Sequence, residues 1–251
     1  MNGSQEVNFM VEMSFCGTRY HGFQKQKNGI ATIQQTVEEG IFRLLGERAE
    51  INGCSRTDAG VHANSFIFSV SLKSPINERG LIFGLNGVLP KDISILSCRR
   101  VGGDFHARFD CSGKEYVYKI HNSEIRNPFY ENRIFRSWYP IDEKKLDLAA
   151  KDFIGRHDFK AFCSSDTDKE ETVRTVFSFD VSRSGDIVEF TVSGDGFLYN
   201  MVRIMVGTLL FINDGKLSQD SIPKIIKSKD RTRAGKTVPA HGLYLNRVFY
   251  D

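Results

Sequence analysis

Residues 53–63 read GCSRTDAGVHA. The stretch lies between two segments with strand character, AEINGC (49–54) and ANSFIFSVSL (63–72). The second alternates Phe66, Phe68, Val70 and Leu72 on one face, the pattern of a half-buried strand. The sequence between them is therefore a loop at strand ends. Asp-Ala-Gly is turn-forming, and an Asp in a turn often bonds its own backbone. Arg56, two residues earlier, and the place of the loop between strands give the Asp58 carboxylate a second reading, because strand-end loops present side chains into clefts.

Working outward, the chain alternates strands and amphipathic helices. VNFMVEMSF (7–15) reads as a strand and runs into a Gly-punctuated loop, CGTRYHGFQKQ (16–26). Ile33, Val37, Ile41, Leu44 and Leu45 fall at helical spacing, with Thr32 as N-cap and Gly46 as stop. A second helix is predicted over 76–90, ended by Pro90, and a strand over 92–101. The order is strand–helix–strand–strand–helix–strand.

The remainder repeats the theme. KEYVYKIH (114–121) puts Tyr116, Tyr118 and Ile120 on one strand face. A helix is predicted over 142–155, and two strands joined by a Ser-Gly turn over 172–194. A long apolar helix is predicted over 196–214, with Met201, Met205, Thr208 and Ile212 along one face. A shorter helix (218–230) and a last strand (241–251) follow. The expected class is α+β, with two similar halves drawn at 1–107 and 108–251, the first carrying the Asp58 loop and the second the aromatic strand and the apolar helix.

Composition bounds the function. The 251 residues carry a formal net charge of +3 and twenty Phe, an abundance in an otherwise ordinary composition. Basic charge is concentrated in 215–236, with seven Lys/Arg against two Asp/Glu, and in 98–136, with eight against five, as a polyanion site requires. Five scattered Cys without a CxxC point to reduced thiols in a cytoplasmic protein. No membrane span, signal peptide or metal-ligand spacing is present in the sequence, so membrane attachment and a metal are not expected. Neither a Walker A sequence nor a Ser-His-Asp signature occurs, and Gly194 and Gly196 lack the third glycine of a dinucleotide fingerprint.

Arg203 is unusual because it sits between Val202 and Ile204 in an apolar helix, where an arginine generally has a carboxylate or phosphate partner. Taken with it, SRTDAGVHA, YHGFQKQ, FHAR (105–108), KEYVY (114–118), GDGFLYNMVRIMVG (194–207) and AGKTVPAHGLYL (234–245) resemble, in order and spacing, the TruA family of pseudouridine synthases. The resemblance runs over nearly the whole chain. It departs at Ser55, where the family often has Gly.

The resemblance implies isomerisation of uridine to pseudouridine in RNA. It implies two α+β halves whose antiparallel sheets join into one extended sheet, helices on one face, and an active-site cleft between them. Asp58 matches the catalytic aspartate, Tyr116 a tyrosine that stacks on the target uracil, and Arg203 an arginine that pairs with the aspartate. Arg56 matches an arginine that enters the RNA and helps displace the flipped base. Thr57, His62, Arg108, Gly194, Gly196 and Leu198 are implied to contact the substrate. The resemblance further implies no cofactor, a homodimer, and tRNA as partner, modified at positions 38 to 40 of the anticodon stem-loop. Phosphate contacts are expected from 215–236 and from Arg99, Arg100 and Arg126. Another RNA, such as rRNA, and a non-catalytic RNA-binding module are the alternatives. The joint presence of Asp58, Tyr116 and Arg203 favours an enzyme over the latter.

Overall fold

The computed structural model describes residues 6–27, 29–164 and 171–251. The class is α+β, a mixed sheet of ten strands with helices. The chain divides into two compact units, residues 1–112 with 245–251, and residues 113–244.

The first unit contains β1 (Val7–Phe15), α1 (Ile33–Leu45), β2 (Asn52–Gly53), β3 (His62–Leu72), α2 (Glu78–Val88), β4 (Ile93–Val101) and most of β10 (Leu243–Tyr250). Its strands run β4-β1-β3-β10, with β2 on β3. β1 is antiparallel to both β3 and β4, and pairs Val7 with Leu72 and Phe15 with Ala63. Phe9, Val11, Met13 and Phe15 alternate along β1 and are buried with Phe66, Phe68, Val70 and Leu72 of β3, so period-two patterning has set the register. The α1 helix starts where Thr32 Oγ1 accepts the Gln35 N–H at 3.3 Å. It stops at Gly46, whose φ of 68° closes the last turn onto Phe42 O. Asn77 caps α2 in the same way, accepting the Gly80 N–H at 2.7 Å.

The second unit contains nearly all of β5 (Cys111–Asn122), then β6 (Phe135–Ser137), α3 (Glu143–Ala150), β7 (Gly155–Asp158), β8 (Val173–Ser184), β9 (Ile187–Gly194), α4 (Met201–Asn213) and α5 (Ser221–Ser228). Its strands run β5-β9-β8-β7 through antiparallel pairs. β6, unforeseen in the sequence, adds a parallel pairing on β5, which makes the sheet mixed. The β8–β9 hairpin turns through Gly185 and Asp186, with Gly185 at φ 58°. Several phenylalanines cluster in the core of this unit. Phe153 meets Phe162 edge-on at 5.0 Å and Phe179 at 5.7 Å, and all three are fully buried.

Nine residues of α4 are buried, so the helix is enclosed on most sides. One side is sealed by backbone. A Cβ at Gly207 would stand 1.8 Å from Lys236 O, and one at Gly235 would stand 2.4 Å from the Gly207 carbonyl. The glycines let residues 234–238 cross directly on the helix, and the Gly235 N–H donates to Thr208 Oγ1 at 2.8 Å.

Candidate active site

Asp58 and its neighbours are held by backbone. The loop between β2 and β3 turns where the Val61 N–H donates to Asp58 O at 3.2 Å, and Gly60 takes φ 79°. Residues 17–23 lie on this loop. The Phe23 N–H donates to Thr57 O at 3.1 Å and the Gly60 N–H to Tyr20 O at 3.2 Å. The approach is close enough to require glycine, since a Cβ at Gly17 would stand 1.9 Å from Val61 O and one at Gly22 2.4 Å from Thr57 O. Thus GTRYHGF and SRTDAGVHA are two layers of one structure, with the Phe23 ring stacked on Phe66 at 4.5 Å beneath them.

On this frame Arg56 is exposed, Asp58 is half-buried, and Thr57 is buried. His62 is only 1 % exposed, and its Nδ1 accepts the Gly17 N–H at 3.0 Å. Arg108 lies elsewhere in the unit, exposed, with its guanidinium 5.9 Å from the Phe109 ring centre. Its neighbour Ala107 is pinned by Ser69 Oγ at 3.3 Å and by the Tyr250 hydroxyl at 2.6 Å.

In the second unit Tyr116 sits on β5 opposite Val192, 6 % exposed, its ring edge-on to Phe197 at 5.3 Å. Gly194 ends β9 where a Cβ would stand 2.6 Å from Thr175 O. Gly196 packs beside Arg174, and Leu198 is buried. Arg203 lies in the first turn of α4, where its Nε donates to Val238 O at 2.8 Å and its Nη1 to Asn200 Oδ1 at 2.6 Å. Tyr116, Gly194, Gly196, Leu198 and Arg203 all lie in the second unit, and both Tyr116 and the position of Gly194 face the Phe197 ring. Arg56, Thr57, Asp58 and His62 lie in the first unit.

Two supporting residues were not singled out in the sequence. Asn200 precedes α4 in the left-handed region at φ 61° without bonding the helix backbone through its side chain, and its amide holds both Arg203 and, through Nδ2, Ser164 Oγ at 2.8 Å. An Asn immediately before an apolar helix was the available signal. Asp92 accepts from the Tyr20 hydroxyl and from Arg19, both at 2.8 Å, and so ties the 17–23 layer to the start of β4. Burial pushes the hydroxyl of Tyr118 well above its ordinary range, with the charge of Arg203 acting against the shift. That hydroxyl stays protonated and donates to Pro239 O at 2.8 Å.

The basic stretch 215–236 is partly spent on local pairs. Lys224 meets Asp220 at 2.6 Å, Lys229 meets Asp158 at 2.7 Å, and Arg231 bonds Gly235 O at 3.0 Å. Lys227, Arg233 and Lys236 are exposed, as is Arg126. Arg100 pairs with Glu78 at 3.3 Å, and Arg99 contacts Met10 Sδ. Among the described residues no helix is long and apolar enough to cross a membrane.

A family model described as tRNA pseudouridine synthase matches residues 149–251. Similarity to curated relatives extends over the rest. The chain is 44 % identical over 243 residues to tRNA pseudouridine synthase A of Acetivibrio thermocellus, covering 97 % of this chain and 99 % of that protein. It is 44 % identical over 245 residues to tRNA pseudouridine synthase A 2 of Clostridium tetani, with the same coverage, and 40 % identical over 243 residues to tRNA pseudouridine synthase A of a Thermoanaerobacter species. The chain belongs to the tRNA pseudouridine synthase A family, TruA.

Proposed function

We propose that this protein isomerises uridine to pseudouridine in tRNA, at positions 38 to 40 of the anticodon stem-loop, and that Asp58 performs the reaction. The observation that carries the reading is the full-length likeness to tRNA pseudouridine synthase A together with an aspartate on a loop fixed by three backbone hydrogen bonds. The net reaction breaks the N1–C1′ bond, forms C5–C1′, and moves the C5 proton to N1. Nothing is oxidised or reduced, so no redox cofactor is called for. A carboxylate serves this chemistry by adding to uracil C6, by trapping C1′, or by taking the C2′ proton. Tyr116 stacks on the uracil, and its hydroxyl helps move the C5 proton. Arg203 pairs with the Asp58 carboxylate and keeps it ionised.

The target base lies in a helical stem and must be turned out of the stack, with Arg56, exposed on the same loop, entering in its place. Gly194, Gly196 and Leu198 line the uracil pocket. Thr57 and Arg108 contact the RNA, whereas His62 acts from behind the loop through its bond to Gly17. Lys227, Arg233, Lys236 and Arg126 meet phosphates, which makes binding salt-dependent. The working form is a cytoplasmic homodimer that grips one RNA with both subunits. Pseudouridine mapping of total RNA from cells with and without the gene tests the reading. Loss of signal at tRNA positions 38 to 40 is expected, and an unchanged tRNA profile, or loss confined to rRNA, contradicts it.

A further inference from the structure

The two arginines of β8 are held in different ways. Arg183 is tied down along one edge of its guanidinium, with Nε donating to Glu143 Oε2 at 2.9 Å and Nη2 to Ile141 O at 2.7 Å. Its charge is met by the Glu143 carboxylate. Arg174 is half-buried on the same strand, opposite His157 of β7. Its Nη1 donates to Val173 O at 2.5 Å and to Glu171 O at 3.4 Å. Both acceptors are neutral carbonyls. They fix the plane of the guanidinium and leave its charge unmet, because no carboxylate pairs with Arg174 among the described residues. The Nε–Nη2 edge, which in Arg183 makes the structural bonds, makes none in Arg174 among those residues.

The Nε end of that edge stands beside the turn that follows β9. A Cβ at Gly196 would lie 3.5 Å from Arg174 Nε and 3.6 Å from its Cδ, which is ordinary contact, and Gly196 has no positive φ. Neither packing nor backbone conformation calls for glycine there, and the missing side chain leaves room beside the guanidinium. The turn is pinned to β8 by Asp195, whose N–H donates to Thr175 O at 3.0 Å and whose Oδ1 accepts the Thr175 N–H at 2.9 Å. The Asp195 carboxylate therefore bonds backbone and does not pair with Arg174. The Gly196 N–H makes no hydrogen bond among the described residues, so a second kind of donor is present at the same place.

We propose that Arg174 is a phosphate-binding residue of the tRNA site, and that its Nε and Nη2 N–H groups hold a phosphate flanking the target uridine. The proposal rests on the reading that Gly194, Gly196 and Leu198 line the uracil pocket. A base turned out of a stem brings its sugar and phosphates to the mouth of the pocket that receives it, so an anion arrives where the charge of Arg174 is unmet. A phosphate accepts two parallel N–H bonds from one guanidinium edge, and an edge whose plane is already fixed loses little freedom on binding. The phosphate keeps its charge throughout the isomerisation. The contact is therefore as strong in the ground state as in the transition state, and its loss raises KM with little change in kcat.

The test pairs protein variants with modified RNA. Wild type, Arg174→Gln and Arg174→Lys would be assayed for binding and for pseudouridine formation on a tRNA with one target uridine. The tRNA carries either normal phosphates or a single neutral methylphosphonate, placed 5′ of the target, 3′ of it, or far away as a control. For the wild type, one flanking methylphosphonate should raise KM about tenfold or more. Arg174→Gln should show a similar rise on the normal tRNA, almost none further on that methylphosphonate, and an unchanged thermal midpoint. Arg174→Lys, which keeps the charge and loses the fork, should fall between. Effects of Arg174→Gln that simply add to those of both flanking methylphosphonates overturn the proposal, as does a fall in kcat at unchanged KM. A wild-type protein that binds the tRNA and forms no pseudouridine contradicts the reading of function instead, and the same comparison made on binding alone then decides the role of Arg174.

Discussion

The Asp58 loop and the start of α4 hold their side chains by different means. Around Asp58 the contacts that fix position are backbone to backbone, between 17–23 and 57–61, and glycines permit the approach. Around Arg203 the side chain itself is gripped, by the Val238 carbonyl and the Asn200 amide. A carboxylate has a short stem and goes where its backbone goes. A guanidinium has a long stem and needs acceptors to fix its plane. The first region should therefore be sensitive to added atoms beneath it, and the second to the loss of individual acceptors.

The largest effect on stability is expected from Gly17→Ala. Its Cβ would press on the Val61 carbonyl oxygen, which cannot turn aside as a side chain can. A loss of about 3 kcal/mol or more is expected in chemical denaturation, with activity lost alongside. Gly207→Ala, against Lys236 O in the second unit, should match it in stability. If either is tolerated with little change, the close crossings described above are incorrect.

Arg203→Lys comes next. One ammonium cannot serve both acceptors, and a charge-assisted hydrogen bond contributes about 1.5–3 kcal/mol. Turnover should fall about ten- to hundredfold while tRNA affinity changes less. Wild-type turnover in the lysine variant would mean that the guanidinium fork is not used. The aromatic strand separates two roles for Tyr116. Stacking is worth about 1–3 kcal/mol per base, so Tyr116→Leu should be impaired in either case. Tyr116→Phe should remain active if stacking is the whole role, and should stall if the hydroxyl moves a proton. Full activity of the leucine variant returns Tyr116 to a core position. The smallest effect is expected for Asn200→Gly, which keeps the left-handed backbone and loses the amide. A stability loss of about 1 kcal/mol is expected, with turnover falling less than in Arg203→Lys. A larger turnover loss than in Arg203→Lys would place Asn200 itself on the substrate.

Local patterns made much of this legible. The α1 boundaries follow from Thr32 and Gly46, and the β8–β9 hairpin from a Gly at its turn. The apolar helix was read from residue 196, yet α4 begins at Met201. The 3.6-residue pattern does not register that Asn200 adopts φ 61° and that residues before it form a turn. The helix read over 142–155 ends as α3 at Ala150, and Gly155, at φ 111°, already belongs to β7. β6 and β7 are three and four residues long, too short for alternation to declare itself. Arg203 stood out as a lone charge in an apolar run, but its acceptors at 200 and 238 did not. One is a side-chain amide on a left-handed residue just before the helix and the other a backbone carbonyl brought in by the Gly207–Gly235 crossing, and local periodicity registers neither. The placement of residues 245–251 with the first unit is likewise a long-range pairing that no local pattern encodes.

The central claim is that the Asp58 carboxylate carries out the isomerisation, and Asp58→Asn tests it most directly, because the amide keeps the shape and removes the charge and the nucleophile. Purified wild-type and variant protein would be compared for pseudouridine formation in a transcribed tRNA and for binding of that tRNA. The account predicts turnover lower by several orders of magnitude, about 4 kcal/mol or more of barrier, with binding retained. Pseudouridine formation by the asparagine variant at near wild-type rate would contradict it.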